Sequence, residues 1–485
     1  MTDPAPVIYW VRRDLRLADN PALGAAVASG RPVIPVFIHD ECVEALGAAP
    51  KWRLGLGVSA FAASLEKLGA RLILRRGKAV SVLRALVVET GAAAVHWGRL
   101  YDPQAVARDT EIKAALKADG IGAHSHAGHL LFEPWTVQTG TGGFYRVFTP
   151  FWNGVRNRDP GQPAKGPAKL RPPAVWPASE LIADWGMAAA MRRGAAIVGQ
   201  HVRVGEAKAQ ARLAWFLDGP VQIYRTARDL PGADGTSRLS ENLTYGEIGI
   251  RTVWHQGLRA LHDGMAGAET FLKELVWREF SYHLIHHTPQ IAVSNWKPEW
   301  DAFPWTGKSA LSLDWTRGRT GIQFVDAALR EMYVTGTMHN RGRMIVASYL
   351  TKHLMTHWNV GQRWFAECLT DWDPAANAMG WQWAAGSGPD AAPYFRIFNP
   401  DTQAEKFDPG ASYRRRFIAE LSDAPGKDAL DYFRAIPRHW RMVPTASYPE
   451  PIVALDVGRN RALAAYAARL GGGNERLEPP TGSSL

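Results

Sequence analysis

Short apolar runs alternate with amphipathic stretches from Val7 onward. Val7-Ile8-Tyr9-Trp10-Val11 leads into Arg12-Arg13-Asp14-Leu15-Arg16, the pattern of a buried strand followed by a polar turn. Similar runs recur at residues 33–38, 71–74, 94–97 and 123–126. Between them, residues 20–28, 54–68, 79–90 and 105–118 carry apolar side chains at helical spacing. This alternation predicts a doubly wound, Rossmann-like parallel sheet over residues 5–133, with helices on both faces and ligands taken at the carboxyl ends of the strands. Gly55-Leu56-Gly57-Val58-Ser59-Ala60 has the glycine spacing of a dinucleotide loop. It follows Lys51-Trp52-Arg53 rather than a strand, so it reads as the small-residue packing face of a helix.

The pattern then changes. Six of the eighteen residues from Pro160 to Pro177 are proline, which forbids a regular element and predicts an inter-domain connector, taken as residues 134–205. From residue 206 strand signals nearly vanish. Apolar residues fall at helical spacing over 207–217, 268–286, 321–335, 343–358 and 362–369, predicting an all-helical domain over 206–470. Residues 471–485 are rich in Gly, Pro and Ser and read as a disordered tail.

Composition narrows the function. The chain has 485 residues, 46% of them hydrophobic and 21% charged, the balance of an ordinary globular protein. No apolar run approaches the ~18–20 residues of a membrane span, and the start lacks a signal-peptide pattern, so a cytoplasmic protein is expected. Cys42 and Cys368 are the only cysteines, too few for a disulfide framework or a cysteine-rich metal site. His283, His286 and His287 have no accompanying Glu-x-x-His pattern, so no metal is expected. A net charge of +10 suits an anionic partner, nucleic acid first, although charge for solubility explains it equally well.

Candidate chemistry concentrates in the helical half. Asp371 to Trp383 holds two carboxylates, the Asn377 amide and three Trp within thirteen residues. Interior segments rarely keep charges unless these are paired or ligand-bound, so the stretch predicts a buried polar site for a large planar ligand. Upstream, Asn340, Arg343 and Met344 share a helical face while Arg341 diverges from it. Arg343 could pair with Asp371 or Asp373, leaving Arg341 to face a phosphate. Glu274, Trp277 and Arg278 also share a face, either a pocket wall or a solvated edge. Thr236-Ser237-Arg238-Leu239-Ser240 precedes a helical run and reads as an anion cradle or simply an N-cap.

Together these segments resemble the DNA photolyase/cryptochrome family, and among its members the bacterial class I photolyases that repair cyclobutane pyrimidine dimers. Val11 to Arg16, Trp277 to Phe280, Gly321 to Arg330, Met338 to Met344, Asp371 to Trp383 and Asp390 to Pro400 resemble family blocks in the same order, across about residues 7 to 470. The resemblance implies FAD in the helical domain. Tyr224, Thr236, Ser237, Arg238, Leu239 and Ser240 are similar to the residues holding its phosphates and ribityl chain. Glu274, Arg278, Asn340, Arg343, Asp371, Asp373 and Asn377 resemble those around the isoalloxazine and adenine, with Asn377 facing flavin N5. The partner implied is ultraviolet-damaged DNA, bound by a monomer with no metal and no membrane, in the cytoplasm and at the nucleoid. A dimer must be flipped out of the duplex to be reached. Trp277, Met344 and Trp383 resemble the lesion pocket, Glu274 and Asn340 the contacts to base edges, and Arg228 and Arg341 the phosphate contacts.

The implied reaction is light-driven and redox-neutral. Excited FADH⁻ gives an electron to the dimer, the ring splits, and the electron returns; Glu274 and Arg341 stabilise the transient charge. Trp381, Trp358 and Trp305 resemble the chain that re-reduces the flavin. Ala378 and Met379 replace a more polar pair that commonly follows the Asn. For the antenna chromophore, 5,10-methenyltetrahydrofolate is the first expectation. Tyr101-Asp102-Pro103-Gln104-Ala105 and Ala292-Val293 do not reproduce the family's folate elements, so a deazaflavin, another flavin or no antenna stay open. A cryptochrome-like photoreceptor and a (6-4) photolyase are the alternatives. Asn377 stands where the plant-type receptor tends to carry an acid, and His339-Asn340-Arg341 lacks the His-rich pattern of (6-4) repair.

Overall fold

The computed structural model describes residues 4–391 and 395–470. The expected tail at 471–485 lies outside the described residues, as do Ala392, Pro393 and Tyr394 of the block ending at Pro400. Strands β1 (Val7–Val11), β2 (Val33–His39), β3 (Ile73–Arg76), β4 (Ala94–Gly98) and β5 (Gly122–His126) form one parallel sheet in the order β3-β2-β1-β4-β5. β1 and β2 are buried along their whole length, which is why they read as continuous apolar runs instead of alternating ones. Helices Pro21–Ala28 and Ala48–Glu66 cover one face through Leu23, Val58 and Phe61. Helices Ala79–Thr90 and Pro103–Ala118 cover the other through Leu83, Leu86 and Ile112. β3 sits two residues later than the hydrophobic pattern predicts. Its pairing with β2 begins at Ile73, and at the sheet edge it tolerates Arg75 and Arg76.

The glycine-spaced stretch lies inside helix Ala48–Glu66, as expected. A Cβ at Gly57 would come within 2.8 Å of Leu15 Cδ1 and 3.0 Å of Glu247 Oε1, so glycine there lets the helix approach its neighbours. Arg53, fully buried in the same helix, donates to Glu247 at 2.9 and 2.7 Å and lies 3.2 Å from Glu241. This ion cluster ties the α/β half to the start of the helical half. The proline-rich stretch forms no regular element. It is pinned to the sheet half where Asp19 N donates to Ala164 O and Val33 N to Arg171 O, at 2.7 and 2.9 Å. Ahead of it, helix Phe148–Val155 buries Phe148, Phe151, Trp152 and Val155.

The second half is helical. Its principal elements include Glu206–Asp218, Ile250–His262, Ala268–His287, Gln323–Thr335, Asn340–Ser348, Trp358–Cys368 and Pro374–Ala385. One expectation fails. Residues 343–358 do not form a single helix. Helix Asn340–Ser348 passes into a π-helical turn at Tyr349–His353, and the chain then breaks at Met355, whose φ is +51°. The physical reason is competition for backbone partners: Thr306 N donates to Met355 O at 2.7 Å and His357 N to Thr306 O at 2.9 Å. Among the described residues no helix is long and apolar enough to cross a membrane.

Candidate functional site

Helix Pro374–Ala385 packs against both Ala268–His287 and Asn340–Ser348, and these three helices carry about half of the predicted site residues. Pro374–Ala385 starts at Asp373, whose Oδ1 accepts from Ala375 N and Ala376 N at 3.1 and 2.9 Å, with Pro374 in the first turn. Its Oδ2 accepts from Tyr282 OH, and that hydroxyl lies 3.0 Å from His129 Nε2. Asp373 is thus committed to a cap and a buried chain of hydrogen bonds. Arg278 joins the same chain, donating to His129 O at 2.9 Å, with its other nitrogen 2.9 Å from His129 Nε2. Burial and the surrounding Arg residues, Arg278 first, hold the His129 imidazole neutral.

The expected face of Glu274, Trp277 and Arg278 therefore does not converge on one point. Glu274 Oε1 accepts from Arg228 Nη1 at 2.5 Å, and Trp277 stacks on Phe148 with centroids 3.7 Å apart at 5°. Burial raises the Glu274 carboxyl and Arg228 opposes that rise. Of the two partners open to Arg343, the fold selects Asp371. Nη2 lies 2.9 and 2.8 Å from its two oxygens, and Nε donates to Met338 O at 2.8 Å. Asn377 donates from Nδ2 to Gln362 O at 3.3 Å, and its Oδ1 has no protein partner among the described residues. Asn340 is exposed, with Nδ2 4.0 Å from Met344 Sδ. Trp383 donates from Nε1 to Asp390 O at 3.1 Å and is half-buried.

The segment 236–240 departs from a simple cap. Helix Ser240–Thr244 has Leu239 at its N-cap, and no side chain caps it. Arg212 instead holds the segment from behind, donating to Thr236 O at 2.6 Å and Ser237 O at 3.0 Å. With the carbonyls tied down, neither the N–H groups of residues 236–240 nor the hydroxyls of Thr236, Ser237 and Ser240 find a protein partner among the described residues. Arg238 adopts φ +49° and pairs with Asp234 at 3.1 Å. Tyr224 is buried nearby against Phe216 and Phe271. Free donors beside cations suit a diphosphate.

The three tryptophans expected to relay electrons differ in burial. Trp381 and Trp358 are buried and Trp305 is half-buried. Trp381 lies 4.9 Å from Phe365, and its buried Nε1 has no acceptor among the described residues. Trp358 Nε1 donates to Asn295 Oδ1 at 2.7 Å and Trp305 Nε1 to Thr351 O at 2.8 Å. The His357 ring lies 5.2 Å from both Trp358 and Trp305. The place of His357 between these two rings was not legible in the sequence, because the Thr306–Met355 pairing puts it there. Gln382 was also missed. It is fully buried and bonds Ile291 O, Ser294 O and Trp296 N at 2.6, 2.7 and 2.7 Å. Ala378 is a small residue fully buried in the core shared with helix Ala268–His287.

Comparison with known proteins now bears on this geometry. The family model described as DNA photolyase matches residues 7–169, and that described as the FAD binding domain of DNA photolyase matches residues 271–468. The deoxyribodipyrimidine photo-lyase of Agrobacterium fabrum is 46% identical over 470 residues, covering 96% of this chain and 98% of that protein. This chain belongs to the DNA photolyase family. A solved bacterial class III photolyase from Agrobacterium tumefaciens has a TM-score of 0.89 at 44% identity, covering 97% of this chain and 98% of that one. An archaeal photolyase from Sulfolobus tokodaii, solved with two FAD molecules, has a TM-score of 0.78 at 28% identity, covering 96% of this chain and all of that one, 100%.

For a photolyase the donor set fits FAD. The unpaired N–H and hydroxyl groups at 236–240 suit its diphosphate, and Arg343, Asp371 and Asn377 supply the ion pair and the free amide oxygen that a flavin ring can use.

Proposed function

We propose that this chain is a light-driven deoxyribodipyrimidine photo-lyase that restores cyclobutane pyrimidine dimers in DNA. The observation that carries the reading is a near-full-length match to a protein of that name. Thr236 to Ser240 would hold the FAD diphosphate, with Arg343, Asp371 and Asn377 at the ring. Bound and reduced, FAD would supply the light-driven, redox-neutral electron chemistry that opens the cyclobutane ring. The chain's own residues do the rest. The Arg343–Asp371 pair sets fixed charges beside the ring, and the Asn377 amide offers hydrogen bonds without readily giving up a proton. Trp277 and Trp383 present aromatic faces to the flipped dimer, where stacking is worth ~1–3 kcal/mol per base. Arg228 and Arg341 meet flanking phosphates, and Glu274 and Asn340 meet base edges. Trp305, Trp358 and Trp381 relay an electron inward from the surface.

The motifs suggested class I, but 44% identity to a class III photolyase favours class III for this chain. The antenna remains 5,10-methenyltetrahydrofolate in this reading, with a second flavin as the rival, since one relative was solved with two FAD molecules. The protein would act as a metal-free monomer on DNA in the cytoplasm, at the nucleoid. The test is an absorption spectrum of the purified protein matched with repair of DNA carrying cyclobutane dimers or (6-4) lesions. FAD-loaded, reduced protein should repair the cyclobutane dimers only under blue or near-ultraviolet light. No light-dependent repair, or repair of (6-4) lesions alone, overturns the proposal.

A further inference from the structure

Arg228 and Asp229 are neighbours in sequence with opposite charges, and each holds a residue on a different helix. Arg228 Nη1 donates to Glu274 Oε1 on helix Ala268–His287 at 2.5 Å. Asp229 Oδ1 accepts from Arg341 Nη2 on helix Asn340–Ser348 at 2.5 Å. On another side of Arg341 the ring of Phe407 has its centroid 4.1 Å from the guanidinium carbon. Arg341 is mostly buried, and its Nε has no acceptor among the described residues.

A guanidinium carries five N–H donors in a rigid plane. One bond to a carboxylate and one face on an aromatic ring fix that plane and leave donors free. Fixing it before binding removes rotamer entropy that would otherwise be lost when a phosphate arrives. We propose that Asp229, together with Phe407, is the positioning residue that presents Arg341 to a phosphate of the DNA backbone. The proposal rests on the reading of Arg341 as a phosphate contact. Arg228 and Asp229 then act as one clasp, setting the lesion-facing side chains of two helices that carry no covalent link near the site. Asparagine at 229 keeps the acceptor oxygen and removes the charge, whereas alanine removes both.

The test is a double-mutant cycle on the FAD-loaded full chain, read as the affinity for a duplex carrying one cyclobutane dimer at fixed salt. Asp229→Ala should weaken binding roughly tenfold, the scale of one lost phosphate contact. Asp229→Asn should restore binding to within about threefold of wild type, since one hydrogen bond still fixes the plane. Arg341→Ala should also weaken binding, and adding Asp229→Ala to it should cost nothing further. FAD content and the rate of flavin photoreduction should be unchanged in Asp229→Ala, which separates positioning from general damage to the fold. Unaltered affinity in Asp229→Ala, or losses that multiply in the double variant, overturns the proposal while leaving Arg341 a phosphate contact. Wild-type binding by Arg341→Ala overturns that underlying reading instead, and the proposal with it.

Discussion

Trp381 packs against the bare backbone of Gly361, so closely that a Cβ on that glycine would overlap the far edge of the indole. Gly361 lies on helix Trp358–Cys368, three residues after Trp358, so one helix positions both inner tryptophans. Gly361→Ala should displace Trp381 and cost about 1–3 kcal/mol, the usual range for overpacking a filled core. Thermal melting reads the stability, and flavin photoreduction, which should slow, reads the displacement. Wild-type values for both would show that the indole can yield.

Trp381→Phe tests the relay by itself. The ring stays but the readily oxidised indole goes, and no hydrogen bond is lost because Nε1 has no acceptor among the described residues. Photoreduction of oxidised flavin should fall at least tenfold, while repair by pre-reduced protein stays near the wild-type rate. Equal loss of both activities would assign Trp381 a structural role instead.

Asp371→Asn removes the charge that meets Arg343. Breaking a fully buried ion pair costs about 3–5 kcal/mol, but the Arg343 side chain is 27% exposed, so roughly 2–3 kcal/mol is expected. The variant should melt earlier and release FAD more readily on dilution. Undiminished FAD retention, measured by flavin fluorescence, would place the pair away from the cofactor.

Acid should destabilise the fold. Burial, the first cause in each case, lowers His283 to about 3 and His339 and His353 to about 4, against an ordinary value near 6.5. Between those values the unfolded chain binds protons that the folded chain does not, so stability present above about pH 6.5 is lost as pH falls towards 4. Glu279 acts in the opposite sense. Burial raises it to about 7, so between about 4.5 and 7 the folded state holds the extra proton and gains stability as pH falls. Urea midpoints should therefore drop from pH 7.5 to pH 5, and Glu279→Gln should steepen the drop. A flat or rising midpoint in the wild type would contradict this assignment.

Local patterns revealed most of the elements. β1 was legible because a central parallel strand is buried on both faces and must be apolar throughout. Asp371, Arg343 and Asn377 stood out because charge and amide beside tryptophan are costly to bury unpaired. The roles of Asp373 and Arg278 were less legible. Both are engaged through Tyr282 and His129, residues distant in sequence whose meeting no periodicity encodes. Asp229, Phe407 and Phe148 gave no signal for the same reason, since each matters only through a partner far along the chain.

The alternation that builds the sheet, the helical second half and the family are all readable from the amino-acid order, because these rest on side-chain period and on contiguous motifs. The packing of remote segments selects Asp371 for Arg343, leaves Asp373 to Tyr282, and sends Arg228 and Asp229 to two separate helices. The same packing breaks the predicted helix at 343–358, which places His357 between Trp305 and Trp358. Hydrogen bonds and ion pairs depend on distance and direction at a few ångströms, and those are set only when remote segments pack against one another.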